Sequence, residues 1–164
     1  MILAVVDDFA VDRGWVPVDD RVMGGISASR LRIEGAGRGL FTGTVSLEHG
    51  GGFASVRRPV TDGLPATTRA LRLTLCGDGK AYRVTLGETP GVSAEVFQFD
   101  FTTAAGEAAV VDAPLAAFEH RFRGRPVGDG RSVAPEHVRS LGLVIGARQA
   151  GAFRLELARI DAVD

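Results

Sequence analysis

A chain of 164 residues, 45% hydrophobic and 24% charged, carries enough apolar material for a core, which excludes a disordered tail or linker. Its 19 basic and 20 acidic residues give a formal charge of −1 and lie scattered, leaving no basic run to track a phosphate backbone. A single cysteine, Cys76, excludes an internal disulfide or a thiolate metal cage, and no window approaches the roughly 20 apolar residues of a membrane-spanning helix.

Residues 1–9 are apolar but short, already contain Asp7 and Asp8, and lack a basic leader, unlike a secretory signal. A cytoplasmic protein is expected. Trp15, the single tryptophan, is expected to plug one end of the core with its indole N–H paired. After it come Asp19, Asp20, the Gly24-Gly25 pair and the hydroxyls of Ser27 and Ser29. An acidic residue, glycines that permit positive φ or close backbone approach, and two hydroxyls before a strand describe a shaped loop. Two readings stay open: a loop built for contact, or one that joins sheets through Asp20 hydrogen bonds. Loops often carry function, so Asp20, Met23, Gly24, Gly25, Ser27 and Ser29 are candidate interaction residues.

From there, short runs of period two follow one another. Residues 31–34 and 40–48 come first, the latter with Phe41, Val45 and Leu47. Leu71, Leu73 and Leu75 share a face, as do Tyr82, Val84 and Leu86, and then Phe97, Phe99 and Phe101. A weaker run opens at Val110, residues 135–139 read as a single helical turn, and 141–145 and 153–160 close the chain. This period puts alternate side chains on one face of a half-buried strand. The 22 glycines cluster between the runs, as in Gly35-Ala36-Gly37-Arg38-Gly39, Gly50-Gly51-Gly52 and Gly77-Asp78-Gly79. About ten such strands predict an all-β domain over residues 1–164: two antiparallel sheets packed as a jelly-roll-like sandwich.

A second segment stands out at residues 45–57. A strand ends near Glu48, three glycines turn the chain, and a new strand places Phe53, Ser55 and Arg57 on one face. An aromatic, a hydroxyl and an arginine together suit a binding face better than a core; the plainer alternative is an Arg57 that only meets solvent.

The sequence offers little to catalysis. Gly35-x-Gly37-x-Gly39 precedes a strand, whereas a dinucleotide fingerprint opens a helix, and Gly77-Asp78-Gly79-Lys80 lacks the spacing of a nucleotide loop. Both read as hairpin turns. His49, His120 and His137 show no metal-ligand spacing and no nucleophile context, and each reads as a surface or turn residue. Asp7, Asp8, Asp12, Asp19, Asp20, Asp161 and Asp164 gather near the termini, but without the spacing of a calcium loop they read as solvated strand ends.

Taken in order, these pieces resemble the complex I intermediate-associated protein 30 family. The tryptophan and the Asp-x-x-x-Gly-Gly-x-Ser loop are matched by Trp15, Asp20, Gly24, Gly25 and Ser27. The strand Gly-x-Val-Ser-Leu-Glu-x-x-Gly-Gly-Phe-Ala-Ser of the bacterial form is matched by 43–48 and 51–55. Leu71, Leu73, the Gly77-Asp78-Gly79 turn and Tyr82 follow, then Phe122-Arg123-Gly124-Arg125, Ser140-Leu141-Gly142 and the closing strand from Gly151. The chain departs from the family where a tryptophan often precedes a Pro-Phe pair: here Gly106, Glu107 and later Pro114-Leu115 stand. The resemblance implies a galactose-binding-like jelly roll, no catalytic residues and no cofactor. It also implies an assembly role such as the mitochondrial relatives have for respiratory complex I, with protein subunits of a multisubunit complex as partners. Its motifs add Glu48, Asp78, Tyr82 and Arg123 to the candidate surface. A carbohydrate-binding module is the alternative, and an enzyme of unrecognised type a further one. Sugar platforms stack rings on exposed Trp or Tyr, and the chain has one of each.

Overall fold

The computed structural model describes residues 1–19, 25–91 and 93–164. Among them are thirteen strands, numbered in chain order, and short 3-10 turns at Glu48–Gly50, Leu115–Ala117 and Pro135–His137. None of these helices is long and apolar enough to cross a membrane. The strands form two antiparallel sheets packed as a β-sandwich.

The first sheet runs β3 (Ala28–Glu34), β4 (Arg38–Val45), β13 (Gly151–Val163), β6 (Ala70–Cys76) and β9 (Ala108–Pro114). Its longest strand, β13, has two partners along one side. β4 pairs with Gly151 to Leu157, and β1 (Ile2–Asp7) takes over from Ile160 to Val163. Between these stretches Ala158 is an extra residue: Leu157 faces Leu75, but Arg159 already faces Thr74. Such a bulge resets the alternation, so Phe153, Leu155 and Leu157 and then Ile160 all point into the core.

The second sheet runs β11 (Arg125–Pro126), β10 (Glu119–Phe122), β8 (Glu95–Thr102), β7 (Ala81–Gly87), β12 (Ser140–Ile145), β5 (Ala54–Pro59) and β2 (Val16–Pro17). Val56, Tyr82, Val84, Leu86, Phe97, Leu141, Leu143 and Ile145 face the first sheet and are buried. Alternation then fixes the other face: Ser55, Arg57, Arg83, Thr85, Val96, Gln98, Gly142 and Val144 look outward.

The expected strands are present, and four more accompany them. The apolar residues 2–7 form β1, while β2, β10 and β11 are too short for a period to show. The Gly35–Gly39 cluster is the expected β3–β4 hairpin. Gly77-Asp78-Gly79 is not a hairpin turn; it carries the chain from β6 in one sheet to β7 in the other. Trp15 closes one end of the core as expected, stacked on Phe9 at 6.3 Å with its Nε1–H donated to Asp7 Oδ2 at 3.0 Å.

Candidate functional site

The outer face of the second sheet holds a groove of about 730 Å³. Its floor follows two rows of the sheet. Across one row lie Ser55, Val144 and Arg83; across the next lie Arg57, Gly142, Thr85 and Gln98. Gly50–Phe53 and Arg148 wall one side, and Ser93, Ala94, Arg123 and Gly124 wall another. The lining therefore carries four arginines and, among the described residues, no carboxylate. Gly142 keeps the floor low: a Cβ there would stand 2.3 Å from Thr85 Oγ1 and 3.3 Å from Arg57 Cγ.

The groove brings together Phe53, Ser55, Arg57 and Arg123 of the expected contact residues. Phe53, Ser55 and Arg57 share a face, as their spacing predicts. Thr85, Gln98, Arg83 and Arg148 were not foreseen, because they reach the site through sheet order, which no local pattern reports.

Ser29 and Ser55 meet for a second reason. Asp19, which is 9% exposed, accepts Ser55 N–H (2.9 Å) and Ser29 N–H (3.0 Å), and takes the Ser29 hydroxyl on Oδ1. Ser55 Oγ donates to Val18 O, and Val18 N–H donates to Ser55 O at 2.8 Å. The Ser29 hydroxyl also reaches Ser55 O at 3.0 Å, joining β3 of one sheet to β5 of the other, whereas the Ser55 hydroxyl ties β5 to the segment after β2. A carboxylate, Asp19, joins the sheets here. Asp20, Met23 and Gly24 lie outside the described residues.

Other candidates fall away from the groove. Tyr82 is not a contact residue: it is 3% exposed and packs between the sheets against Phe41, Phe101 and Phe153. Its hydroxyl donates to Asp78 Oδ1 at 2.9 Å, and burial followed by this carboxylate pushes its pKa well above the ordinary value. Asp78 also accepts Lys80 N–H and Arg154 N–H, so it locks the corner between β6 and β7. Ser27 is fully buried, with Ser46 N–H donated to its Oγ at 2.9 Å, and Gly25 is buried beside it. Glu48 is exposed in its 3-10 turn and does not line the groove.

Several of the described terminal carboxylates are taken up in ion pairs. Asp7 pairs with Arg58, Asp8 with Arg13, Asp161 with Arg159 and Asp164 with the N-terminal amine. Among the described residues no three His, Cys, Asp or Glu are arranged to hold a metal ion.

His120 corrects a second expectation. His49 and His137 are exposed in turns, whereas His120 is 9% exposed and stacked on Phe97 at 4.7 Å. Its Nδ1 meets Asp129 Oδ2 at 2.9 Å and its Nε2 meets Glu95 Oε1 at 2.9 Å. Arg131 shares Glu95 at 3.1 Å, pairs with Glu88 and lies over the Phe97 ring. A neutral imidazole donates from one nitrogen only, so carboxylates at both favour the cation. Burial pulls the His120 pKa down, but the hydrogen bonds it makes to Asp129 and then Glu95 overcome it, and the net direction is upward from 6.5. Asp129 moves the other way, lowered first by His120.

The signs fix a window. The His120 contribution to stability is complete below its ordinary value of 6.5 and is lost as pH rises through its raised folded value. The Asp129 contribution is complete above 3.8 and is lost as pH falls through its lowered one. Thermal melts from pH 4.5 to 8.5 should show stability falling above pH 6.5, with the slope reduced in His120→Gln. An unchanged slope in that variant would place the titrating group elsewhere.

No curated protein matches the sequence. Among solved structures, the family 11 carbohydrate-binding module of the cellulosomal cellulase Lic26A-Cel5E of Clostridium thermocellum superposes with a TM-score of 0.73 at 15% identity, over 98% of this chain and 94% of that one. The Clostridium thermocellum family 11 module in complex with a β-1,3-1,4-mixed-linked tetrasaccharide gives 0.71 at 16% identity, over 96% and 94%. A cyclase from Fischerella sp. TAU gives 0.52 at 14% identity, over 92% and 84%. At such identities the likeness is one of fold, the jelly-roll sandwich, and a fold does not fix a function. The family model described as Complex I intermediate-associated protein 30 (CIA30) matches residues 7–157. On that match, which runs from Asp7 before the Trp15 plug to Leu157 within β13, the chain belongs to the Complex I intermediate-associated protein 30 family.

Proposed function

We propose that this chain is a non-catalytic binding module that holds a protein subunit during assembly of a multisubunit, respiratory-type complex. The reading places it in the cytoplasm and gives it no cofactor. The observation that carries it is the groove: an outward sheet face with Phe53, Arg57 and three further arginines, open to solvent and without an acidic lining residue among those described. Family membership supports the kind of partner, since the family takes its name from association with complex I intermediates.

The test is affinity capture of the tagged protein from its own cells, with mass spectrometry of what is retained. Respiratory-complex subunits are expected, and Arg57→Glu should lose them while the variant keeps the wild-type melting temperature. Capture that is unchanged by Arg57→Glu would move the partner surface off this groove.

A carbohydrate-binding reading has one observation in its favour, the tetrasaccharide bound to a module of the same fold. Against it, Phe53 is the one aromatic side chain among the described lining residues, and Trp15 and Tyr82 are buried in the core. Calorimetry with the mixed-linked tetrasaccharide separates the readings. Saturable binding abolished by Phe53→Ala would favour the sugar.

A further inference from the structure

We propose that the groove is a carboxylate-binding site, anchored by Arg57, whose occupant is an extended acidic stretch of a partner protein. The inference rests on the reading of the chain as a protein-binding module and names the chemistry that module recognises.

Neighbouring arginines make the contrast. Arg58, next in β5, is paired with buried Asp7 at 3.1 Å, and Arg83 across the groove is paired with Asp100 at 3.1 Å. Arg57 has no carboxylate partner among the described residues. Its Nη1 reaches only the Ser93 carbonyl, at 3.4 Å, and its Nε is buried without a hydrogen-bond partner. A buried donor left unpaired is rare in a folded protein. Desolvation also moves the Arg57 pKa downward, as it does for a cation that lacks its counterion. A guanidinium that no carboxylate among the described residues neutralises, on a partly dehydrated floor, suits a carboxylate ligand.

The rest of the row suits a chain rather than a single ion. From Arg57 on β5 the row crosses Gly142 on β12 and Thr85 on β7 to Gln98 on β8. Three strand spacings make about 14 Å, the length of roughly four residues of extended chain. Gly142 leaves room for a backbone to lie low over the buried Thr85 and Gln98, whose Nε2 donates to Asp100 Oδ1 at 3.3 Å. Arg123 and Arg148 stand at the walls for further carboxylates. A uronic-acid sugar shares the charge, but with Phe53 as the one aromatic among the described lining residues there is little to stack its rings on.

The experiment is fluorescence anisotropy with fluorescein-labelled hexaglutamate at low salt, using the full chain. Saturable binding is expected, and Arg57→Gln should weaken it about tenfold or more, the usual effect of losing a charged hydrogen bond. Arg154→Gln, on the outer face of the first sheet, should leave it unchanged. No binding, or equal loss in both variants, overturns the proposal, as does binding of tetragalacturonate in place of hexaglutamate. Should Arg57→Gln unfold, Arg123→Gln carries the test: weakened binding supports the site and unchanged binding overturns it. If hexaglutamate fails to bind while capture still recovers complex subunits, the acidic ligand falls and the module reading stands. Hexaglutamate binding without captured subunits supports the carboxylate site and counts against the assembly role.

Discussion

Asp7→Ala should destabilise the fold by about 3–5 kcal/mol, the usual effect of removing one partner from a buried ion pair. The Asp7 side chain is 0% exposed and the Arg58 side chain 10% exposed, so the cation left behind would have little water to turn to. Asp7 Oδ2 also accepts the Trp15 indole N–H at 3.0 Å, and Oδ1 accepts Phe9 N–H at 2.9 Å. That last bond holds Phe9 in a left-handed conformation, φ 54°, with its ring fully buried. The ring lies so close over Gly39 that a Cβ there would be 2.4 Å from Phe9 Cδ1. One carboxylate thus fixes a strained turn, an indole and an arginine at a single end of the sandwich. Thermal and urea melts check it; a loss of roughly 6–20 °C is expected for a chain of this size. Asp7→Asn keeps an acceptor but removes the charge, so it should fall between the two. A loss below about 1 kcal/mol for Asp7→Ala would mean that Arg58 finds another partner at little cost.

The sandwich was legible in the sequence because its core obeys a simple rule. Leu71, Leu73 and Leu75, or Tyr82, Val84 and Leu86, alternate with polar neighbours, and both sets are buried together between the sheets. Half of the groove was legible for the same reason, since period two alone sets Phe53, Ser55 and Arg57 on one side. The other half comes from β7, β8 and β12, whose order beside β5 depends on long-range pairing. Tyr82 joined the candidate surface through the family motif, although its period with Val84 and Leu86 already sends it inward. Asp7 drew no attention as a core residue, for a charge in an apolar segment suggests an exposed end until its partners are known. Arg58 lies 51 positions away in sequence.

Asp19 shows the same limit at the scale of one residue, since the donors it holds lie 10 and 36 positions away, and it yields a prediction. Asp19→Ala should cost about 2–6 kcal/mol, because it strips the acceptor from two backbone donors at once, each worth about 1–3 kcal/mol when left unpaired. Ser29 N–H lies in β3 of the first sheet and Ser55 N–H in β5 of the second, so the carboxylate spans the corner where the sheets approach. Asp19→Asn offers little relief, since its amide nitrogen would face one of the donors that a carboxylate oxygen now accepts. Hydrogen exchange separates this effect from that at Asp7. In Asp19→Ala the amides of Ser29 and Ser55 should lose protection ahead of the rest, whereas in Asp7→Ala they should follow the global loss. Val18 and Ser55 also line the groove, so a loosened corner should weaken hexaglutamate binding even where the protein remains folded. Full protection of both amides in Asp19→Ala would show that the sheets are joined without it. The Ser55–Val18 hydrogen bonds would then be the element that holds the groove to the corner.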